Sequence, residues 1–184
     1  MKRFSALLIL VFCGVLLMQC GQRLTEEQMF SKALNYKEQA MALETDGLTE
    51  KANELYVKAL KSYEKFVKEY PQSDRCTDVL YELGTLYLNN LQDPDKSIAV
   101  YQRIIDEYPD GKWVVQAQFM IGYRYANDIK NFEKARESYT LFLQKYPDHE
   151  LAMSAKWELE NLGKDIGDID FLESEAAGTN VNKN

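Results

Sequence analysis

Apolar residues along the middle of this chain recur at helical spacing. Ile98, Tyr101, Ile105 and Tyr108 fall at i, i+3, i+7 and i+10, one stripe of a 3.6-residue helix, and Leu80, Leu83 and Tyr87 form a like stripe in the segment before. The polar breaks are equally explicit. Proline lacks an N–H and biases its predecessor away from the α region, so Pro71, Pro109 and Pro147 each close a helix just after its last tyrosine. Asp93-Pro94-Asp95 and residues 127–131 read as turns between paired helices. The predicted unit is helix, turn, helix, proline.

This unit repeats with a period of 38 residues. Phe66-Val67-Lys68-Glu69-Tyr70-Pro71 recurs as Ile104-Ile105-Asp106-Glu107-Tyr108-Pro109 and again as Phe142-Leu143-Gln144-Lys145-Tyr146-Pro147. The same offset joins Tyr63, Tyr101 and Tyr139; Ala59, Ser97 and Ala135; Gly84 and Gly122; Tyr87 and Tyr125; and Leu83, Ile121 and Leu159. Neither helix of such a unit can bury its stripe alone, so neighbouring units must stack.

These columns resemble the tetratricopeptide repeat (TPR). The resemblance covers about residues 50–163 and implies an all-α, right-handed helical solenoid of antiparallel helix pairs. Leu151 to Leu162 repeats only a first helix, with Trp157 in the Tyr81/Phe119 column and Glu160 in place of the glycine. A charged side chain there is tolerable only without a second helix over it, so this segment is expected to be a terminal cap ending near Gly163. A weaker alignment of Phe30, Ala33 and Tyr36 with Tyr81, Gly84 and Tyr87 suggests an elongated first pair, broken near Asp46-Gly47. The expected organisation is a signal peptide over 1–19, an N-terminal helix and divergent first pair over 20–48, a TPR domain with its cap over 49–163, and an acidic tail over 164–184 that reads as disordered.

The start of the chain reads as an address. Lys2 and Arg3 precede an apolar run of 15 residues, Phe4 to Met18, which suits a secretory segment better than the roughly 20 residues of a membrane span. Leu17-Met18-Gln19-Cys20-Gly21 resembles the lipobox of bacterial lipoproteins, implying that Cys20 becomes the lipidated first residue. Gln19 stands where that family has Gly, Ala or Ser. An uncleaved anchor or an ordinary signal peptide cut elsewhere are the alternatives, and both still export the protein. By the same resemblance, Gly21 rather than Asp favours the outer membrane, with the domain on its periplasmic face.

Composition narrows the chemistry. Lys+Arg 22 against Asp+Glu 29 gives the 184-residue chain a net charge of −7, and removal of Lys2 and Arg3 with the leader takes it to −9. An acidic chain without a basic run does not bind a phosphate backbone, so no nucleic acid is expected. One histidine, His149, and three cysteines, Cys13, Cys20 and Cys76, make a zinc cage or disulfide framework implausible. His149 reads as an incidental turn residue, Cys76 as a small packing residue, and Asp93 and Asp95 as turn or cap residues. No catalytic triad, phosphate loop or metal spacing appears, so no enzyme activity, metal, cofactor or small-molecule substrate is expected.

Function should then lie on the surface that the helices make. In the TPR family the first helices line a concave groove, and that resemblance carries the groove positions to Asp78, Tyr81, Thr85, Leu88 and Asn89 in one unit and Gln116, Phe119, Tyr123, Ala126 and Asn127 in the next. Aromatics among amides suit a bound protein or peptide segment. The same rings could instead pack between repeats, and Asn89 and Asn127 could simply terminate helices. A lipid-anchored TPR protein with Tyr-Pro closing each unit resembles the BamD-like outer-membrane lipoproteins, which serve β-barrel assembly. That implies a scaffold of envelope biogenesis held to the membrane by its N-terminal lipid. Pro147 to Lys156 also looks like the TPR domain of the Tol/Pal-associated cell-division coordinator family, which implies cell-division coordination, and a tether between membrane and cell wall is a further reading.

Overall fold

The structure is a computed structural model that describes residues 23–164. The expected signal peptide, the lipidated Cys20 and the tail beyond Lys164 lie outside those residues. The described residues form seven α-helices and one π-helical turn: α1 (Glu26–Thr45), α2 (Thr49–Glu69), α3 (Cys76–Asn89), α4 (Pro94–Glu107), α5 (Val114–Arg124), the π-turn Tyr125–Ile129, α6 (Phe132–Lys145) and α7 (Leu151–Glu160). The all-helical TPR-type organisation expected from the sequence is what they show. Contacts divide the chain into two compact units, 1–66 and 67–184, the division falling inside α2.

In the first unit, α1 opens with a capping box. Thr25 Oγ1 accepts from the Gln28 N–H at 3.3 Å, and Gln28 Oε1 accepts from the Thr25 N–H at 3.0 Å. Glu26 and Glu27 then place negative charge at the positive end of the helix dipole. The helix stops where Gly47 takes φ +76°, a conformation that costs glycine nothing. The Tyr56 hydroxyl donates to Glu44 Oε2 at 2.7 Å beside this turn, and the rings of Phe30 and Phe66 meet edge-on at 6.0 Å at the far end. The start of α1 thus lies against the end of this pair's second helix, which is an antiparallel hairpin. Met29, Ala33 and Ala40 of α1 and Tyr56, Ala59, Tyr63 and Phe66 of α2 are its buried residues.

The second unit repeats one device. The Tyr101 ring lies so close over Gly84 that a Cβ there would stand 2.8 Å from it, and the Tyr139 ring lies 2.9 Å from the same point at Gly122. Both tyrosines are fully buried, as are Ile104 and Phe142 one turn further on. Any side chain larger than hydrogen at these glycines would push the helices apart. Ser97 and Ala135, fully buried on the second helices, keep the other side of the contact small.

The turns within the pairs also match. Gln92 (φ 51°) and Lys130 (φ 60°) both take the left-handed conformation, and the next residue, Asp93 or Asn131, donates its N–H to Tyr87 O or Tyr125 O at 2.9 and 2.8 Å. The same Asp93 and Asn131 side chains cap the second helices, accepting from the N–H of Lys96 and Lys134 at 3.0 and 3.1 Å. Pro94, expected inside the turn, is instead the first residue of α4, where its missing N–H leaves no bond unmade. Tyr70, Tyr108 and Tyr146 each directly follow the last helical residue and precede the proline. The Tyr108 hydroxyl donates to Pro71 O at 3.0 Å, linking successive Tyr-Pro turns. Cys76 is a buried thiol that donates to Tyr70 O at 3.1 Å, in line with its expected packing role. Burial and the neighbouring Cys76 push the Tyr108 phenol well above its ordinary pKa.

Candidate functional site: the inner face of the repeats

The first helices α3, α5 and α7 carry the positions expected to line a groove. In α3, Asp78 is half-buried and committed: its Oδ1 accepts from Trp113 Nε1 at 2.6 Å and pairs with Lys112 Nζ at 2.7 Å. The Trp113 ring stacks on Tyr81 at 4.3 Å and 16°, and Tyr81 also meets Tyr101 at 5.5 Å. Tyr81 is therefore mainly a packing residue between units, and burial raises its phenol pKa. The Thr85 hydroxyl donates to Tyr81 O at 3.0 Å and lies 3.4 Å from the Tyr101 hydroxyl. Leu88 is half-buried and Asn89, the last residue of α3, is exposed.

In α5 the arrangement differs. Phe119 meets Tyr139 at 5.7 Å and Phe142 at 5.8 Å, so its inner edge belongs to the core. Its outer side stacks with Tyr123 at 6.4 Å. Tyr123 is half-buried, with the Arg124 guanidinium 5.4 Å from its ring centre. Gln116 is half-buried with its Oε1 shielded from solvent and without a hydrogen-bond partner. Asn127 is exposed and donates from Nδ2 to Tyr123 O at 3.2 Å, so it ties down the end of its own helix. Asn89 ends its helix as one of the two expected readings had it, and the left-handed residues that turn the chain after each first helix are Gln92 and Lys130.

Ala126 corrects the expected groove. It is buried, 6% exposed, in a cluster with Ala135, Tyr139, Phe142, Ala152 and Ala155. Its small side chain packs into that cluster from the π-turn Tyr125–Ile129, which is wound more widely than an α-helix.

Three residues of this region escaped sequence reasoning. Arg124 has a side chain only 12% exposed, yet its place in the 38-residue register is held by Leu86 before it and Leu162 after it. A charge in an apolar column was the available signal. One terminal nitrogen, Nη1, pairs with Asp128 Oδ2 at 3.1 Å, while Nε is buried without a partner. Glu158 on α7 stands beside the Tyr139 hydroxyl and the Asn127 amide, and burial raises its carboxyl pKa above the usual range. Burial likewise pushes the Tyr139 phenol far above its ordinary value. Trp113 occupies a turn position that neighbouring units fill with Arg75 and Leu151, a substitution visible in the register but without a contact to suggest. His149 accepts at Nδ1 from the Leu151 N–H at 3.1 Å, a local turn contact. Among the described residues no group of His, Cys, Asp or Glu could hold a metal ion, and no helix is long and apolar enough to cross a membrane.

Among solved structures, the C-terminal TPR-containing domain of a Plasmodium falciparum protein named as an FK506-binding protein is similar over 84% of this chain and 97% of that domain, at 17% identity and a TM-score of 0.47. No curated protein matches the chain. A family model described as outer membrane lipoprotein matches residues 36–171, about three quarters of the sequence and all of the repeat region. This chain belongs to the YfiO family of outer membrane lipoproteins.

Proposed function

We propose that the protein is a scaffold anchored by lipid at Cys20 to the periplasmic face of the outer membrane, where the inner face of α3 and α5 holds a protein segment during outer-membrane β-barrel assembly. Family membership supports the location, and the repeat architecture supports protein partners over a small-molecule substrate. The observation that carries the site is Arg124. Replacing a core leucine by an arginine with a shielded, unpartnered Nε costs stability, and a structural role does not require it. The Tyr123 ring lies 5.4 Å from its guanidinium, and the Gln116 side-chain carbonyl lies about two turns earlier on the same helix, so one helix carries cation, aromatic face and amide. Such a set suits a peptide: the ring gives contact area at little entropic cost, and the polar groups meet main-chain carbonyls, amides or a carboxylate.

Tagged protein extracted in detergent and cross-linked should carry an outer-membrane β-barrel protein or a subunit of the machinery that assembles one. Arg124→Leu should lose that partner while the protein stays folded. Recovery of the protein alone, or enrichment only on purified sacculi, would exclude the assembly role. Anchoring is separable: palmitate label should enter the wild type and vanish in Cys20→Ala.

A further inference from the structure

Where α7 meets the second pair stands an acid that no positive charge balances. Glu158 is half-buried, and the polar groups beside it, the Asn127 amide and the Tyr139 hydroxyl, are both neutral. Among the described residues no cation pairs with it. Arg124 is engaged elsewhere, through Nη1 to Asp128 Oδ2 at 3.1 Å. Burial pushes the Glu158 carboxyl upward, whereas an adjacent cation would have pulled it down. Holding a carboxylate half-buried without a cation costs stability, as leaving Arg124 Nε unpartnered does.

The groups around this carboxylate have acceptor capacity left over. Tyr139 is fully buried, yet its hydroxyl, which lies toward Glu158, closes no well-formed hydrogen bond. Asn127 Nδ2 donates to Tyr123 O at 3.2 Å, which leaves the side-chain carbonyl of Asn127 to accept. A carboxylate from α7, a phenol oxygen from α6 and an amide carbonyl from the π-turn thus form one acceptor set. An ammonium brings three N–H donors and a guanidinium five, each with the positive charge that Glu158 lacks. A neutral side chain would leave the carboxylate unbalanced, and an acidic one would be repelled. Arg124 and Glu158 act on the Tyr139 phenol with opposite sign, so the acceptor set neighbours the cation assigned above to the held segment. On the reading that this face holds a protein segment, we propose that Glu158, with Tyr139 and Asn127, receives a lysine or arginine side chain of that segment and selects for it.

The test measures binding of decapeptide pools to the full chain in detergent, each pool fixing Lys, Arg, norleucine or Glu at one position and randomising the others. At a preferred position the Lys and Arg pools should bind about fivefold more tightly than the norleucine pool. Glu158→Gln should erase that preference, Glu158→Asp should keep part of it, and Glu160→Gln, at an exposed acid on the same helix, should keep all of it. A preference that survives Glu158→Gln, falls equally in Glu160→Gln or turns to the Glu pool would overturn the proposal. The inner-face reading would still stand in those cases if Arg124→Leu weakened every pool. Pools that bind the wild type and Arg124→Leu alike, or that bind neither, would overturn that reading and this proposal with it.

Discussion

The pair α3–α4 and the pair α5–α6 share a skeleton and differ in one face. In each, a buried tyrosine rests on a glycine, a left-handed residue turns the chain, an Asp or Asn caps the second helix, and Tyr-Pro closes the unit. On the inner face, Asp78, Thr85 and Leu86 of the first become Gln116, Tyr123 and Arg124 of the second, and a π-turn replaces the plain helix end. The shared positions are those where geometry leaves no choice. Among the differing ones, the second pair gives up core packing at Arg124, where the first has the buried Leu86, a departure from local consistency expected at functional sites.

Exchanging residues between the two pairs tests that division. Tyr101→Ala and Tyr139→Ala, which empty the fully buried contact over each glycine, should each cost about 3–5 kcal/mol in urea unfolding. Gly84→Ala and Gly122→Ala should each cost about 1–3 kcal/mol net, despite alanine's better helix propensity, because the tyrosine ring must move. Equal and small losses at tyrosine and glycine would mean that the close approach is not what holds the pairs. Ser97→Ala installs the residue that the second pair has at position 135. It should stabilise by about 1 kcal/mol, since the Ser97 hydroxyl is buried without a partner.

The smallest expected effect is electrostatic. Burial raises the Glu158 pKa, so the folded chain keeps a proton at pH values where the unfolded chain has released it. Stability should therefore fall as pH rises from the ordinary carboxylate range through the folded value, and Glu158→Gln should flatten that fall. A steeper decline in the variant would place the carboxyl in a stabilising ion pair instead.

The skeleton was legible in the sequence because each of its parts is a backbone requirement that few residues satisfy. Glycine under a tyrosine, proline after a helix and a carboxylate or amide at a cap recur at fixed spacing, and Tyr63, Tyr101 and Tyr139 are all buried as their shared column implied. The inner face was legible only as a list of helical positions. Helical register put Ala126 on the inner face, whereas its side chain is buried, and nothing in the sequence marked the π-turn to which it belongs, because no propensity distinguishes a π-turn from an α-turn. Trp113 escaped because its contacts to Asp78 and Tyr81 cross between helices 35 and 32 residues apart in sequence.

Site-specific photo-cross-linking in cells tests the central claim most directly, with the probe placed once at Tyr123 on the inner face and once at Leu141, an exposed residue on α6. The account predicts that an outer-membrane β-barrel precursor or a subunit of its assembly machinery is captured at Tyr123, that Arg124→Leu abolishes the capture, and that Leu141 yields little of it. Equal capture at both positions, or capture at Leu141 alone, would contradict the assignment of function to the inner face of the second pair.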